Sequence, residues 1–161
     1  MISSPALKNH YQAIVGAPFG MFGVRTDGDL VSEIVFLPKS VAPLAPQNRL
    51  AEKVVAQISR YFDDPHMRFK LPLREVGTAF QRRVWDAIAA IPCGSTLSYG
   101  AIAKQIRSGP RAVGQACGAN WFPLVIPCHR VVASGGIGGF ANHGEGFHLS
   151  IKRWLLEHEG A

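Results

Sequence analysis

Ser98-Tyr99-Gly100-Ala101-Ile102-Ala103-Lys104-Gln105-Ile106 runs through Arg107-Ser108-Gly109 into Pro110-Arg111-Ala112-Val113-Gly114-Gln115-Ala116-Cys117-Gly118. Two short helices with a tight glycine turn between them are predicted here. Ser98 opens the first, with Ile102, Ala103 and Ile106 as its apolar stripe, and Pro110 suits the first turn of the second, which dissolves at Gly118 and Asn120. Such a pair is a helix-turn-helix candidate, although packed helix pairs with glycine turns also occur in proteins that never touch DNA. The second helix sharpens the reading: Arg111, Ala112, Gly114, Ala116 and Gly118 offer little bulk, so the helix can approach a narrow groove closely. It suits sequence-independent docking better than base reading.

Working upstream, Phe80, Val84, Ile88 and Ile91 predict a preceding helix that Pro92-Cys93-Gly94 stops, and the chain changes character near Leu73 to Thr78. Before that, the runs Tyr11 to Val15, Met21 to Thr26 and Leu30 to Leu37 are separated by Ala17-Pro18-Phe19-Gly20 and Asp27-Gly28-Asp29, the pattern of an antiparallel meander. A proline-punctuated link follows. Leu50, Val54, Ile58, Tyr61 and Phe62 then recur at helical spacing between Asn48, placed as a cap, and a stop at Asp63-Asp64-Pro65. The expected fold class is α+β: a small N-terminal α/β domain over residues 1–73, a three-stranded antiparallel sheet plus a helix, and a mainly helical, winged-helix-like domain over 74–161.

Downstream, the apolar run Leu124-Val125-Ile126, read as a short buried strand, delivers Pro127-Cys128-His129-Arg130 and continues as Val131-Val132. Thiolate is the reactive form of cysteine and free Cys titrates near pH ~8.5, so a neighbouring imidazole or positive environment is needed to use Cys128 as a nucleophile. His129 can be that base, directly or through a water, if an acceptor holds its far nitrogen. Glu159 can be the acceptor if a last helix, with Ile151, Trp154 and Leu155 inward, returns its end to Cys128. Taken alone, a Cys-His pair is more often an inert buried thiol beside a surface histidine, and only the wider context reverses that preference.

Composition narrows the classes. Lys and Arg number 17 against 11 Asp and Glu, a net charge of +6 that favours polyanionic partners without proving them. The three cysteines, Cys93, Cys117 and Cys128, cannot all pair within the chain, and none has zinc spacing. A reducing compartment is expected, cytoplasmic or nuclear in a nucleated cell, with no signal peptide and no membrane span.

Pro127-Cys128-His129-Arg130-Val131-Val132, together with Ser98-Tyr99, Arg111-Ala112-Val113-Gly114, Asn120 and the tail Trp154-Leu155-Leu156-Glu157-His158-Glu159-Gly160, resembles the O6-alkylguanine-DNA alkyltransferases over Thr78 to Gly160. The resemblance implies that Cys128 accepts the alkyl group, that His129 activates it through water and that Glu159 orients His129. It implies that Tyr99 stands over the target nucleotide with its hydroxyl toward N3 of the departing guanine, and that Asn120 braces the active-site turn. Arg111 would enter the base stack when the damaged nucleotide rotates out, a move demanded because O6 is unreachable inside a duplex. Ser98, Tyr99, Ala112 and Gly114 would share the DNA-docking surface with Arg111. Cys117, Val131, Gly139, Phe140 and Ala141 would wall the pocket, Phe140 stacking on the base beside the glycine-rich backbone 135–139. The zinc-binding Cys/His set of some relatives has no counterpart in residues 1–75, which contain no cysteine.

The implied reaction is repair of double-stranded DNA bearing O6-alkylguanine, with O4-alkylthymine as a further substrate. The product is a thioether, which has no carbonyl for water to attack, so each molecule acts once. No cofactor and no metal are required, and a monomer is expected, with cooperative binding along DNA left open. The stretch 141–148 is longer than is usual in the family, which leads to the expectation of a lid admitting adducts bulkier than methyl. Three rivals remain: a non-enzymatic damage-recognition module, a turnover cysteine hydrolase on Cys128, His129 and Glu159, and a transcriptional regulator.

Overall fold

The structure is a computed structural model that describes residues 10–139 and 146–161. The chain divides into two compact units, Met1–Glu75 and Val76–Ala161. In the first, β1 (Ala13–Ala17), β2 (Gly20–Asp27) and β3 (Leu30–Leu37) form an antiparallel sheet in the order β1-β2-β3. Both hairpins close through two-residue turns, with Ala17 opposite Gly20 and Asp27 opposite Leu30. Gly28 in the second has φ +59, the left-handed conformation such a tight hairpin requires. Phe22, Val24, Val31, Ile34 and Phe36 turn into the core and meet α1 (Arg49–Asp63), which presents Ala51, Val54, Ile58 and Tyr61. Asn48 caps α1 by accepting from the Ala51 amide at 2.8 Å. The unit continues past Leu73, because the Arg74 amide donates to the Val31 carbonyl at 2.8 Å.

The second unit is mainly helical: α2 (Ala79–Ala89), α3 (Tyr99–Ile106), α4 (Pro110–Gly118) and α5 (Phe147–Glu159). Thr78 and Gln81 form a reciprocal capping box at the start of α2, and the Ser98 hydroxyl accepts from the Ala101 amide at 3.0 Å to open α3. The helix-turn-helix is α3 and α4. The buried Trp85 of α2 anchors α4 by donating its indole N–H to the Ala116 carbonyl at 2.9 Å. Two strands of two residues each, β4 (Leu97–Ser98) and β5 (Val131–Val132), pair in parallel. That pairing sets the start of α3 beside the segment that follows Cys128.

Three local expectations are corrected. Leu124 to Ile126 is a turn rather than a strand: the Ile126 amide donates to the Phe122 carbonyl at 2.8 Å, and Leu124 adopts φ +78 with its side chain buried. Pro123 and Pro127 flank it and carry no N–H, so a continuous ladder would lack donors there. Cys128 instead opens a single 3-10 turn, Cys128–Arg130. Ala116 faces inward on α4 with Val113 and Cys117, leaving Arg111 and Gln115 exposed. Trp154 is only half-buried and stacks on His158, while Lys152 takes an inward position on α5 beside Ile151 and Leu155.

Candidate active site

Cys128 is 5% exposed and sits where the 3-10 turn meets the end of α4. Asn120, two residues beyond that helix, uses its whole amide on this turn. Its Nδ2 donates to the Ile126 carbonyl at 2.8 Å and to Cys128 Sγ at 3.2 Å, while its Oδ1 accepts from the Phe122 amide at 2.9 Å. The neighbouring Cys117 sulfur, then burial, pushes the Cys128 thiol well above the ordinary cysteine range, against the pull of Asn120 and Lys152. Its neighbour Cys128 in turn lowers Cys117, so the two sulfurs titrate as a pair. At neutral pH Cys128 is a neutral thiol, and its use as a nucleophile would require that proton to leave.

His129 is fully buried, and its Nε2 meets Glu159 Oε2 at 2.8 Å. Burial drives its pKa down, with Glu159 opposing, so the imidazole is neutral at neutral pH. Arg130 completes the arrangement, donating from Nε to Glu159 Oε1 at 2.8 Å, from Nη2 to Oε2 at 3.0 Å, and from Nη1 to the Ile91 carbonyl at 2.7 Å. A carboxylate gripped in this bidentate way accepts a hydrogen from His129 rather than removing one. The tautomer with the proton on Nε2 follows, which leaves Nδ1 as the basic nitrogen. Nδ1 is buried and has no hydrogen-bond partner among the described residues.

Tyr99, the first residue of α3, donates its hydroxyl to the Gly139 carbonyl at 3.3 Å. Burial first, then the two sulfurs, push its phenol up to about 12, so it remains a proton donor. Lys152 also donates to the Gly139 carbonyl, at 2.7 Å, and to the Val131 carbonyl at 2.8 Å. Gly138 beneath them has φ +75, and a Cβ there would stand 3.0 Å from the Ala133 amide nitrogen and 3.1 Å from the Tyr99 ring. Gly138→Ala is therefore expected to cost about 1–3 kcal/mol of stability. Thermal unfolding measures it, and an unchanged Tm would refute the close fit.

The fold thus gathers Cys128, His129, Glu159, Asn120, Cys117, Tyr99 and Gly139 into one region. Val131 is buried and contributes its carbonyl to the Lys152 link. Arg111 is exposed on α4, with Ala112 and Gly114 half-buried, and a Cβ added at Gly114 would stand 4.0 Å from the Tyr99 ring. Ser98 spends its hydroxyl on the α3 cap. Phe140 and Ala141, and most of the long stretch 141–148, lie outside the described residues. Arg130 and Lys152 were missed by sequence reasoning. Arg130 adjoins the motif and could have been found by asking what balances Glu159; Lys152 carried no signal, since a lysine inside an apolar stripe reads as the helix's wet face. Among the described residues no group of three or more His, Cys, Asp or Glu is placed to hold a metal ion, and no helix is long and apolar enough to cross a membrane.

A buried cysteine thiol set directly behind a helix-turn-helix, beside a carboxylate-held imidazole, is the arrangement that a DNA-docking, cysteine-dependent transferase would need. Residues 79–161 match the family model described as 6-O-methylguanine DNA methyltransferase, DNA binding domain. Across 157 residues the chain is 36% identical to a methylated-DNA–protein-cysteine methyltransferase of Mycobacterium bovis, covering 93% of this chain and 92% of that one. It is 34% identical to the protein of the same description from Methanosarcina mazei, covering 92% and 96% respectively. The crystal structure of Mycobacterium tuberculosis O6-methylguanine methyltransferase superposes with a TM-score of 0.78 at 34% identity, over 94% of this chain and 92% of that one. The same organism's protein solved in complex with DNA gives 0.75 at 34% identity, over 91% of each chain. The chain belongs to the methylated-DNA–protein-cysteine methyltransferase family, enzymes of DNA repair by alkyl transfer.

Proposed function

We propose that the protein takes the alkyl group, methyl above all, from O6-alkylguanine in double-stranded DNA onto Cys128, once per molecule, after the damaged nucleotide has rotated out of the duplex. O4-alkylthymine is its second substrate. The observation that carries this reading is the Nδ1 of a carboxylate-held imidazole, buried and without a hydrogen-bond partner among the described residues, one residue from a protonated thiol. His129 takes the thiol proton at Nδ1 through a bridging water, and the imidazolium formed is stabilised by Glu159. The sulfur lone pair attacks the sp³ carbon and the carbon–oxygen bond breaks. Its electron pair leaves with guanine, whose charge is quenched by a proton from Tyr99 at N3. Asn120 aims the sulfur throughout.

Docking runs through α4. Arg111 enters the stack in place of the extruded nucleotide, while Ala112, Gly114 and the Ser98–Tyr99 corner let the backbone approach. Cys117, Val131 and Gly139 line the pocket. The protein works as a monomer in the cytoplasm, or the nucleus of a nucleated cell. The test is peptide mapping after incubation with excess O6-methylguanine duplex. Gain of one methyl group at Cys128, ending at one equivalent, is expected. Turnover beyond one equivalent, or a methyl group elsewhere, would refute it.

A further inference from the structure

Lys152 is 0% exposed, and the transfer chemistry above gives it no part. Burying an ammonium is costly unless its hydrogens are satisfied, and an apolar residue would pack this position of α5 more cheaply. Both carbonyls it binds, on Val131 and Gly139, belong to the segment that follows Cys128. The Gly139 carbonyl is also the acceptor of the Tyr99 hydroxyl, at 3.3 Å against 2.7 Å for the ammonium. A carbonyl already bound to a cation is a weaker acceptor for a second donor, so the tyrosine proton is loosely held. The ammonium also lies 5.9 Å from the centroid of the Tyr99 ring, where a positive charge makes a phenol a better proton donor.

We propose, resting on the transfer reading above, that Lys152 is a positioning residue. By occupying the Gly139 carbonyl its ammonium releases the Tyr99 hydroxyl for the leaving purine, and its charge supports the thiolate as it forms at Cys128. One cation thereby assists both ends of the displacement without touching the alkyl group. The groups that face it are Tyr99 from α3, Cys117 from α4, and Cys128 and His129 from the 3-10 turn. Burial lowers Lys152 to about 8, with the two sulfurs opposing. The ammonium is thus present below that pH and lost as pH rises through it. Tyr99, at about 12, stays protonated over the same range, and the imidazole is already neutral.

The measurement is the single-turnover rate of methyl transfer from an O6-methylguanine duplex at saturating protein, from about pH 6 to about pH 10, with intact mass reporting the methyl group. The wild-type rate is expected to fall with a midpoint near pH 8. Lys152→Met is expected to be at least about ten-fold slower at pH 7 and to lack that descending limb. Lys152→Arg, charged throughout, lacks the limb too. Combined with Tyr99→Phe, the Lys152→Met loss should be smaller than the product of the single losses, because one residue acts through the other. A descending limb that persists in Lys152→Met, or losses that multiply fully, overturns the proposal. So does a Lys152→Met protein with lowered Tm and an unaltered rate profile. Should that variant fail to fold, a wild-type profile without a descending limb between about pH 7 and about pH 9 overturns it alone. Absence of methyl from wild-type Cys128 at every pH would instead sink the transfer reading itself.

Discussion

Replacing Cys128 with serine is expected to end alkyl transfer outright while leaving DNA binding intact. A serine hydroxyl is far less acidic than a thiol and its oxygen far less nucleophilic toward an sp³ carbon, and the neutral imidazole of His129 is too weak a base to bridge that gap. Nothing on the exposed side of α4 depends on the sulfur: Arg111 and Gln115 face outward, whereas Cys128 is held from within by Asn120. Gel-shift affinity for a duplex should therefore match the wild type, with the usual steep weakening in salt, while mass spectrometry finds no methylated protein. Cys93→Ser serves as the control and should still take up one equivalent. Any methyl group on the Cys128→Ser protein would mean that another residue is the acceptor.

The second large effect is expected at Glu159. Three donors converge on its carboxylate, from His129 and twice from Arg130, and its side chain is wholly buried. Glu159→Gln keeps the shape but removes the charge, so the imidazolium formed during transfer loses its counterion and Arg130 is left without one. A rate loss of about 10²–10⁴-fold is expected, as for the removal of other general-base chemistry. Breaking a buried pair by neutralising one partner should also cost about 3–5 kcal/mol of stability. Single-turnover kinetics and urea unfolding measure the two effects separately. A glutamine variant within about three-fold of the wild-type rate would show that His129 needs no carboxylate.

Much of this arrangement was legible one segment at a time. Asn48 and Ser98 announced their helix starts, because a side-chain oxygen followed by free amides two or three residues on is a local signal. The hairpins were legible for the same reason. The strand expected at Leu124 to Ile126 failed because an apolar run was weighed above the prolines on either side of it. The pairing of β4 with β5 had no pattern to detect, since two residues show no periodicity. Cys117 was expected to pack against the pocket, but its influence on Cys128, and with it the protonated resting thiol, appears only when α4 is folded against the 3-10 turn.

From the residues alone came the order and kind of the elements, the cysteine proposed as nucleophile with the imidazole beside it, and the helix pair proposed to dock, because each rests on groups a few positions apart along the chain. Packing alone decided the chemistry's state. The contact of His129 with Glu159 spans 30 positions and that of Tyr99 with Gly139 spans 40. Whether such groups meet, and in which protonation state, depends on the desolvation and the partners that a closed core supplies, and no local pattern encodes either.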